Sequence, residues 1–208
     1  MNLFRLDTSL RTTGSTSREV ADTAEAAWLA EHPDGQVVRR DLGTDPLLVT
    51  DWMQAVAGSP EAAKLAATLA DELLDADAII VGTALYNFGV PAQLKTWVDL
   101  LITDPRFGPG AEQPLAGRPA ILIVARGGGY GPGTPREGWD HATPWVQRVL
   151  GDVFGLDVKL VEAELTMAPV VPAMEALRAI AEQNRQDAHS AADTHGRALV
   201  RNARDRAA

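Results

Sequence analysis

Apolar positions along this 208-residue chain fall into two patterns, short unbroken runs and longer segments spaced at three and four. The runs are Leu3–Phe4 with Leu6, ending at Asp7; Val37–Val38 within Gln36–Arg40; Ala76–Val81 (ADAIIV); Ala120–Ala125 (AILIVA); and Val158–Val161. Runs rich in Ile and Val and flanked by turn residues read as strands. ADAIIV and AILIVA have the character of strands buried on both faces. The spaced segments read as helices. One spans Thr16–Glu31, with Val20, Ala24, Ala27 and Trp28 on one face and capping-box spacing between Thr16 and Glu19. A second follows Ser59-Pro60-Glu61, with Leu65, Leu69 and Leu73 four apart. A third starts at Pro91, a residue suited to a first helical turn, and carries Leu94, Trp97, Val98 and Leu101. A fourth opens at Thr143-Pro144 with Trp145, Val146, Val149, Leu150 and Phe154, and a fifth runs from Ala173 to a charged end, 197–208, expected to fray. Residues 43–57 read as irregular or partly helical, with Trp52 and Met53 expected to cover the core or a partner.

Strand and helix thus alternate, which predicts an α/β fold: a parallel sheet sandwiched between helical layers. Five strands are expected in the order 2-1-3-4-5, within one domain spanning 1–208. In an open sheet of this kind ligands bind beyond the carboxyl ends of the strands, where the strand order reverses. Three loops should meet on that rim: 8–17, 85–88 and 126–129.

The first loop holds seven hydroxyls: Thr8, Ser9, Thr12, Thr13, Ser15, Thr16 and Ser17. Hydroxyls and free N–H groups at the positive end of a helix bind phosphate without a lysine. Arg11 could add charge. Such a cluster also serves as a plain helix cap, although seven hydroxyls exceed what one cap uses. No G-x-x-x-x-G-K-[ST] run is present, which speaks against nucleotide hydrolysis. The second loop offers Tyr86, Asn87 and Phe88, either a ligand wall or a hydrophobic plug. The third, Arg126-Gly127-Gly128-Gly129-Tyr130-Gly131-Pro132-Gly133, lets backbone approach a flat ligand, or is simply a flexible turn. Three loops converging on one rim favour a site.

Composition narrows the chemistry. There are no cysteines, which removes disulfides, thiolate metal sites and a cysteine nucleophile. His32, His141, His189 and His195 show no metal-ligand spacing, so no metal is expected. A net charge of -9 argues against nucleic acid as a partner. No apolar run approaches membrane-spanning length, and Arg5 and Asp7 stand too early for a secretory leader, so a cytoplasmic protein is expected.

Three stretches, LDTSLRTTGSTS, LYNFGVPAQLKTWVDLL and ARGGGYGPG, closely resemble the FMN-dependent NADH:quinone oxidoreductases, also known as FMN-dependent azoreductases. The likeness runs in register from the first strand through GLDVKLVEAE, and the Y-N-F with the following P-x-Q-L-K is its most specific part. It implies a flavodoxin-like homodimer with one non-covalent FMN per chain. By this resemblance Ser9, Ser15, Thr16 and Ser17 correspond to phosphate and ribityl binders. Leu85, Tyr86, Asn87 and Phe88 correspond to the segment against the isoalloxazine ring. Ala125, Arg126, Gly127 and Gly128 correspond to the backbone cradle at the ring's pyrimidine edge. No catalytic side chain is implied, since the chemistry is the cofactor's. NADH is the implied donor, a quinone or azo compound the acceptor, and the two exchange by a ping-pong sequence.

The chain departs from the family at three places. Thr83-Ala84-Leu85 stands where many members have A-P-M; Phe107–Gln113 lacks the usual F-R-Y-T run that helps shape the acceptor pocket; and Tyr130 and Pro132 enlarge the glycine loop, which could make a lid. An electron carrier of the same fold, without NADH turnover of its own, is the alternative. A flavin-free regulatory domain is a third reading, disfavoured by the hydroxyl loop.

Overall fold

A computed structural model describes residues 1–207. Its elements, in chain order, are β1 (Asn2–Asp7), α1 (Thr16–Glu31), β2 (Gln36–Asp41), α2 (Val49–Val56), α3 (Pro60–Leu74), β3 (Ala78–Ala84), α4 (Ala92–Leu101), β4 (Pro119–Ala125), α5 (Thr143–Gln147), β5 (Asp157–Ala163) and α6 (Arg178–Ala207). A π-helical segment, Arg148–Val153, continues α5, and a 3-10 turn, Pro172–Leu177, leads into α6. The strands pair in parallel in the order β2-β1-β3-β4-β5, as the alternation predicts.

Because side chains alternate across a strand, the sheet builds two cores. Phe4, Leu6, Ile79, Val81, Leu122 and Val124 face α3, α4 and the π-helical segment, meeting Leu69, Leu73, Leu94, Trp97 and Phe154. Leu3, Ile80, Ile121, Ile123 and Val161 face the other way, onto Val20, Ala24 and Trp28 of α1 and Ala188, Ala192 and Leu199 of α6. Strands β3 and β4 are buried along almost their whole length, as their unbroken apolar runs require. The approach of α6 to α1 depends on Gly196: a Cβ there would lie 2.3 Å from the Ala24 carbonyl oxygen.

Several expectations are corrected in detail. β3 begins two residues later than its apolar run and extends to Ala84, so it delivers the second loop directly. The N-cap of α1 is Ser15 rather than Thr16, and its hydroxyl makes no capping bond. Pro91 is the N-cap of α4 instead of its first helical residue. α6 remains helical through Ala207, held by buried Leu199, Val200 and Ala203, where fraying was expected; Ala208 lies outside the described residues. Residues 43–57 do contain a helix, α2, whose Leu48–Val49 entry, Met53 and Val56 are exposed. Trp97, on the apolar face of α4, is fully buried in the core. Among the described residues, no helix is long and apolar enough to cross a membrane.

Candidate functional site

The three expected loops meet at the carboxyl edge of the sheet around a cavity of about 270 Å³. Ser9, Arg11, Gly14, Ser15, Thr16 and Ser17 line it from the first loop, Leu85 and Tyr86 from the second, and Ala125 and Gly127 from the third. Asn87, Phe88, Arg126 and Gly128 lie next to these residues in sequence but do not line the cavity. Thr166 and Met167 complete the wall. Sequence reasoning passed over this pair as part of a loop, yet they follow β5 on the same rim, so strand order alone could have found them.

The first loop delivers an open helix end. The N-cap side chain makes no capping bond, so among the described residues the first N–H groups of α1 keep no partner from within the protein. The Ser15 and Ser17 hydroxyls instead approach each other at 3.3 Å, both residues being buried. Among the described residues Arg11 has no carboxylate within ion-pair distance; its guanidinium lies 3.8 Å from the Met167 sulfur. Hydroxyls, a helix N-terminus and an uncommitted arginine together suit a phosphate monoester.

Two side chains fix this loop's path. Arg18 Nη2 donates to the Ser9 carbonyl (2.7 Å) and Nε to the Arg11 carbonyl (2.9 Å), while both terminal nitrogens grip Asp41 at 2.7 and 2.6 Å. Gln93, the glutamine of the P-x-Q-L-K stretch, donates to the Thr8 carbonyl from α4 at 2.5 Å. That residue therefore ties the second motif to the first. Arg18 was not singled out by its sequence context; one arginine in a helix's first turn carries no signal until Asp41 at the end of β2 is known to face it. Below the loop, buried Arg5 pairs with Asp7, Asp22 and Glu25. Burial pushes the Asp7 carboxyl up despite the Arg5 guanidinium, whereas the Arg18 hydrogen bonds hold Asp41 below the usual carboxylate range.

The second loop is a tight reversal. Tyr86 and Gly89 exchange both backbone hydrogen bonds, and the two residues between them, Asn87 and Phe88, have φ of 49° and 67°. Positive φ at both central positions matches the hairpin turn that normally takes Asn-Gly. A phenylalanine there is strained by roughly 1–2 kcal/mol. The turn presents Tyr86, whose hydroxyl accepts from the Leu10 N–H at 3.2 Å and so joins the first two loops.

In the third loop Gly127 leaves room for Met167: a Cβ would sit 2.9 Å from its Cγ. The Arg126 side chain turns away from the cavity. It pairs with Asp140 at 2.8 Å, with Glu162, and at 3.4 Å with Glu164. Asp140 in turn accepts from the Ala142 and Thr143 N–H groups and the Thr143 hydroxyl at the start of α5. Burial works against ionisation of Asp140, but these bonds and Arg126 leave its carboxyl lowered. Glu164 also accepts from the Tyr130 N–H. The enlarged glycine loop is thus anchored at its start by Arg126 and midway at Tyr130.

The departure at Phe107–Gln113 lies elsewhere. It lines a separate cavity of about 740 Å³ with Ile102, Asp152 and Val153, between the carboxyl end of α4 and the start of β4. That is the amino edge of the sheet, so within one chain this stretch does not shape the loop cavity as expected. Among the described residues, no cluster of three or more His, Asp or Glu side chains is placed to hold a metal ion.

A family model described as flavodoxin-like fold matches residues 1–188. An FMN-dependent NADH:quinone oxidoreductase of Frankia alni is 40% identical over 202 residues, covering 91% of this chain and 96% of the relative. Another of the same name, from Streptomyces avermitilis, is 36% identical, covering 95% and 96%. Among solved structures, an azoreductase from Bacillus anthracis superposes with a TM-score of 0.75 at 22% identity, covering 95% of this chain and 99% of that one. A B. anthracis FMN-dependent NADH-azoreductase in complex with FMN does so at 0.72 and 16%, covering 95% and 98%. At such identities the structural likeness speaks for the fold.

Proposed function

The chain belongs to the flavodoxin-like fold family, and on that footing we propose that it is an FMN-dependent oxidoreductase that carries two electrons from NADH to quinones and azo compounds. The observation that carries this reading is the composition of the loop cavity. An uncapped α1 terminus, the Ser15–Ser17 pair and the uncommitted Arg11 stand at the strand-order reversal, a few residues from a wall of Leu85, Tyr86, Ala125 and Gly127. One end suits a phosphate and the other a flat ring, the two ends of FMN. The names of the relatives at 40% and 36% identity support the same cofactor, donor and acceptor class.

In this reading Ser9, Ser15, Thr16 and Ser17 hold the phosphate and ribityl end, with Arg11 as counter-charge. Leu85 and Tyr86 line the ring on one side. Ala125 and Gly127 offer backbone to its polar edge, with Arg126, Gly128, Asn87 and Phe88 shaping the two loops from behind. Bound FMN supplies hydride acceptance from NADH and two-electron delivery to the acceptor. The protein's own part is to orient the ring and leave one face open. Nicotinamide and quinone are both flat and compete for that face, which supports a ping-pong exchange.

The reading extends to assembly and location. The exposed apolar side chains of Leu48, Val49, Met53 and Val56 form a ready face for a second copy, so a homodimer is proposed, in the cytoplasm.

The test begins with the purified protein. It should carry a flavin absorbance spectrum from one FMN per chain, released on denaturation, and anaerobic NADH should bleach it. Replacing Ser15 and Ser17 by alanine should weaken FMN binding, each hydrogen bond to the charged phosphate being worth about 1.5–3 kcal/mol. Initial rates at several quinone concentrations should give parallel lines. A flavin that NADH leaves oxidised would identify a carrier; an unchanged FMN dissociation constant in the double variant would remove the loop from the site.

A further inference from the structure

Just outside the cavity, on the enlarged glycine loop, lies a cluster with no evident structural purpose. Phe88 contacts Trp139 edge-to-face at 5.4 Å between ring centroids and Tyr130 at 6.5 Å. The Arg136 guanidinium sits over both Phe88 and Tyr130, 5.7 and 5.9 Å from their centroids. Phe88 and Trp139 are 37% and 51% exposed. These rings bury little against the core, yet they hold one another in place.

Arg136 is the group that asks for a ligand. Among the described residues it makes no ion pair, and its one side-chain contact by hydrogen-bond distance is the Tyr130 hydroxyl at 3.4 Å. Its neighbour Glu137 is engaged elsewhere, accepting from the Gly133 N–H. In a chain of net charge -9, with 28 acidic against 19 basic residues, a cation at the mouth of a site stands against the overall field. Its place relative to the cavity is fixed from two sides. Leu85 and Tyr86 line the cavity and Phe88 belongs to the same turn; Gly127 lines it, and a Cβ on the next residue, Gly128, would meet Arg136 Nη1 at 3.0 Å. Stacking on two rings also orients the guanidinium and shields one face, so its fork of N–H groups is pre-set for an oxyanion.

We propose that Arg136, framed by Phe88, Tyr130 and Trp139, is a subsite that binds the anionic group of a flat aromatic substrate whose reacting ring enters the loop cavity. This rests on the functional reading above. Two sources share the chemistry, the pyrophosphate of the reduced dinucleotide and a sulfonate or carboxylate on the acceptor. An acidic protein repels both from its surface at large, and a local unpaired cation reverses that at the mouth.

The experiment pairs each charged substrate with a neutral one in the flavin-loaded protein. NADH is compared with reduced nicotinamide riboside, which lacks the pyrophosphate, and a naphthoquinone sulfonate with unsubstituted naphthoquinone. Arg136→Gln should lower kcat/KM for a charged partner by about tenfold to a hundredfold, the range of one charge-assisted hydrogen bond. The neutral partner should stay near wild type, and so should FMN affinity. A loss confined to NADH assigns the subsite to the donor, a loss confined to the sulfonate assigns it to the acceptor, and loss of both places them there in turn. Arg136→Lys should recover part of the loss, and high salt should shrink it. Titration with naphthalene-2-sulfonate reads the subsite without turnover and should weaken by the same factor. If the function proposed above fails, the wild type will not reduce its flavin with either donor, while this titration still decides the subsite. Equal effects on charged and neutral substrates, or naphthalene-2-sulfonate binding unchanged in Arg136→Gln, would overturn it.

Discussion

Arg18→Leu tests whether the phosphate loop is held in shape by charge rather than by its own turns. Among the described residues Arg18 is the only side chain that holds two carbonyls of the loop at once, those of Ser9 and Arg11. A hydrogen bond from a charged donor is worth about 1.5–3 kcal/mol, so the two together contribute about 3 kcal/mol at the low end. The Arg11 carbonyl lies at an exposed position and can turn to water, which leaves about half of that figure, carried by the buried Ser9, as the cost of loosening the loop. Asp41 loses its partner too, but its side chain is 30% exposed and keeps bonds from Gly43 and Thr44, so its ionisation survives. About 1.4 kcal/mol is tenfold in affinity. The expected result is therefore an FMN dissociation constant raised about tenfold, read by quenching of flavin fluorescence, with apo-protein stability in urea lowered by about 1–3 kcal/mol. Arg18→Lys keeps the charge but lacks the fork to reach Ser9, Arg11 and Asp41 together, and should fall between. Asp41→Asn alone should do less, and a double-mutant cycle should show coupling between the two sites. If Arg18→Leu lowers stability by the full amount while FMN affinity stays at the wild-type value, the clamp supports the fold and not the site.

Other parts of the structure give their own expectations. Gly127→Ala should push Met167 into the cavity and weaken FMN binding about fivefold, overpacking costing about 1 kcal/mol, and Met167→Ala in the same chain should restore it; no rescue would mean the contact is not the cause. Asp41 has its carboxyl lowered in the folded state by the Arg18 hydrogen bonds, so its share of stability is full above the unfolded carboxylate value and disappears as pH falls through the folded one. Urea midpoints of wild type and Asp41→Asn should then converge in acid; a constant gap down to pH 2 would contradict the sign. Met53→Glu with Val56→Glu should turn a homodimer into monomers in sedimentation velocity, and a wild type that already sediments as a monomer would remove α2 as the interface.

The architecture was legible because burial on both faces leaves a strong mark. ADAIIV and AILIVA, short and rich in Ile and Val, read as central strands, and alternation with amphipathic helices leaves few parallel topologies. The misplacements share one physical cause: a terminus is set by hydrogen bonds rather than by apolar spacing. Gly82, Thr83 and Ala84 look like loop, yet they pair with Ile123, Val124 and Ala125 and extend β3 to the cavity. Thr16 and Glu19 have the spacing of a capping box, but the chain leaves that helix end open.

The site divides in the same way. Strand order puts the loops of Ser9, Ser15, Ser17, Leu85, Tyr86 and Gly127 on one rim, the family resemblance picks these residues within them, and they do line one cavity. Arg126 could not be assigned in this way. Its backbone continues β4, while its side chain crosses to Asp140, Glu162 and Glu164 and anchors the loop that follows. Charged side chains are long enough to act far from their own backbone, and which acid they find depends on a partner distant in sequence: Asp41 for Arg18, Asp140 for Arg126. Arg136 is the complementary case, a guanidinium whose neighbours are rings and not acids. An isolated basic residue in a glycine-rich stretch looks the same on paper whether it ends in an ion pair or stands free. The difference matters for chemistry, because the paired arginines have spent their charge on holding loops in place. Arg11 inside the cavity and Arg136 at its mouth, neither with a carboxylate partner among the described residues, can still meet an anion: in the proposed reading Arg11 meets the cofactor's phosphate and Arg136 the charge of an incoming substrate.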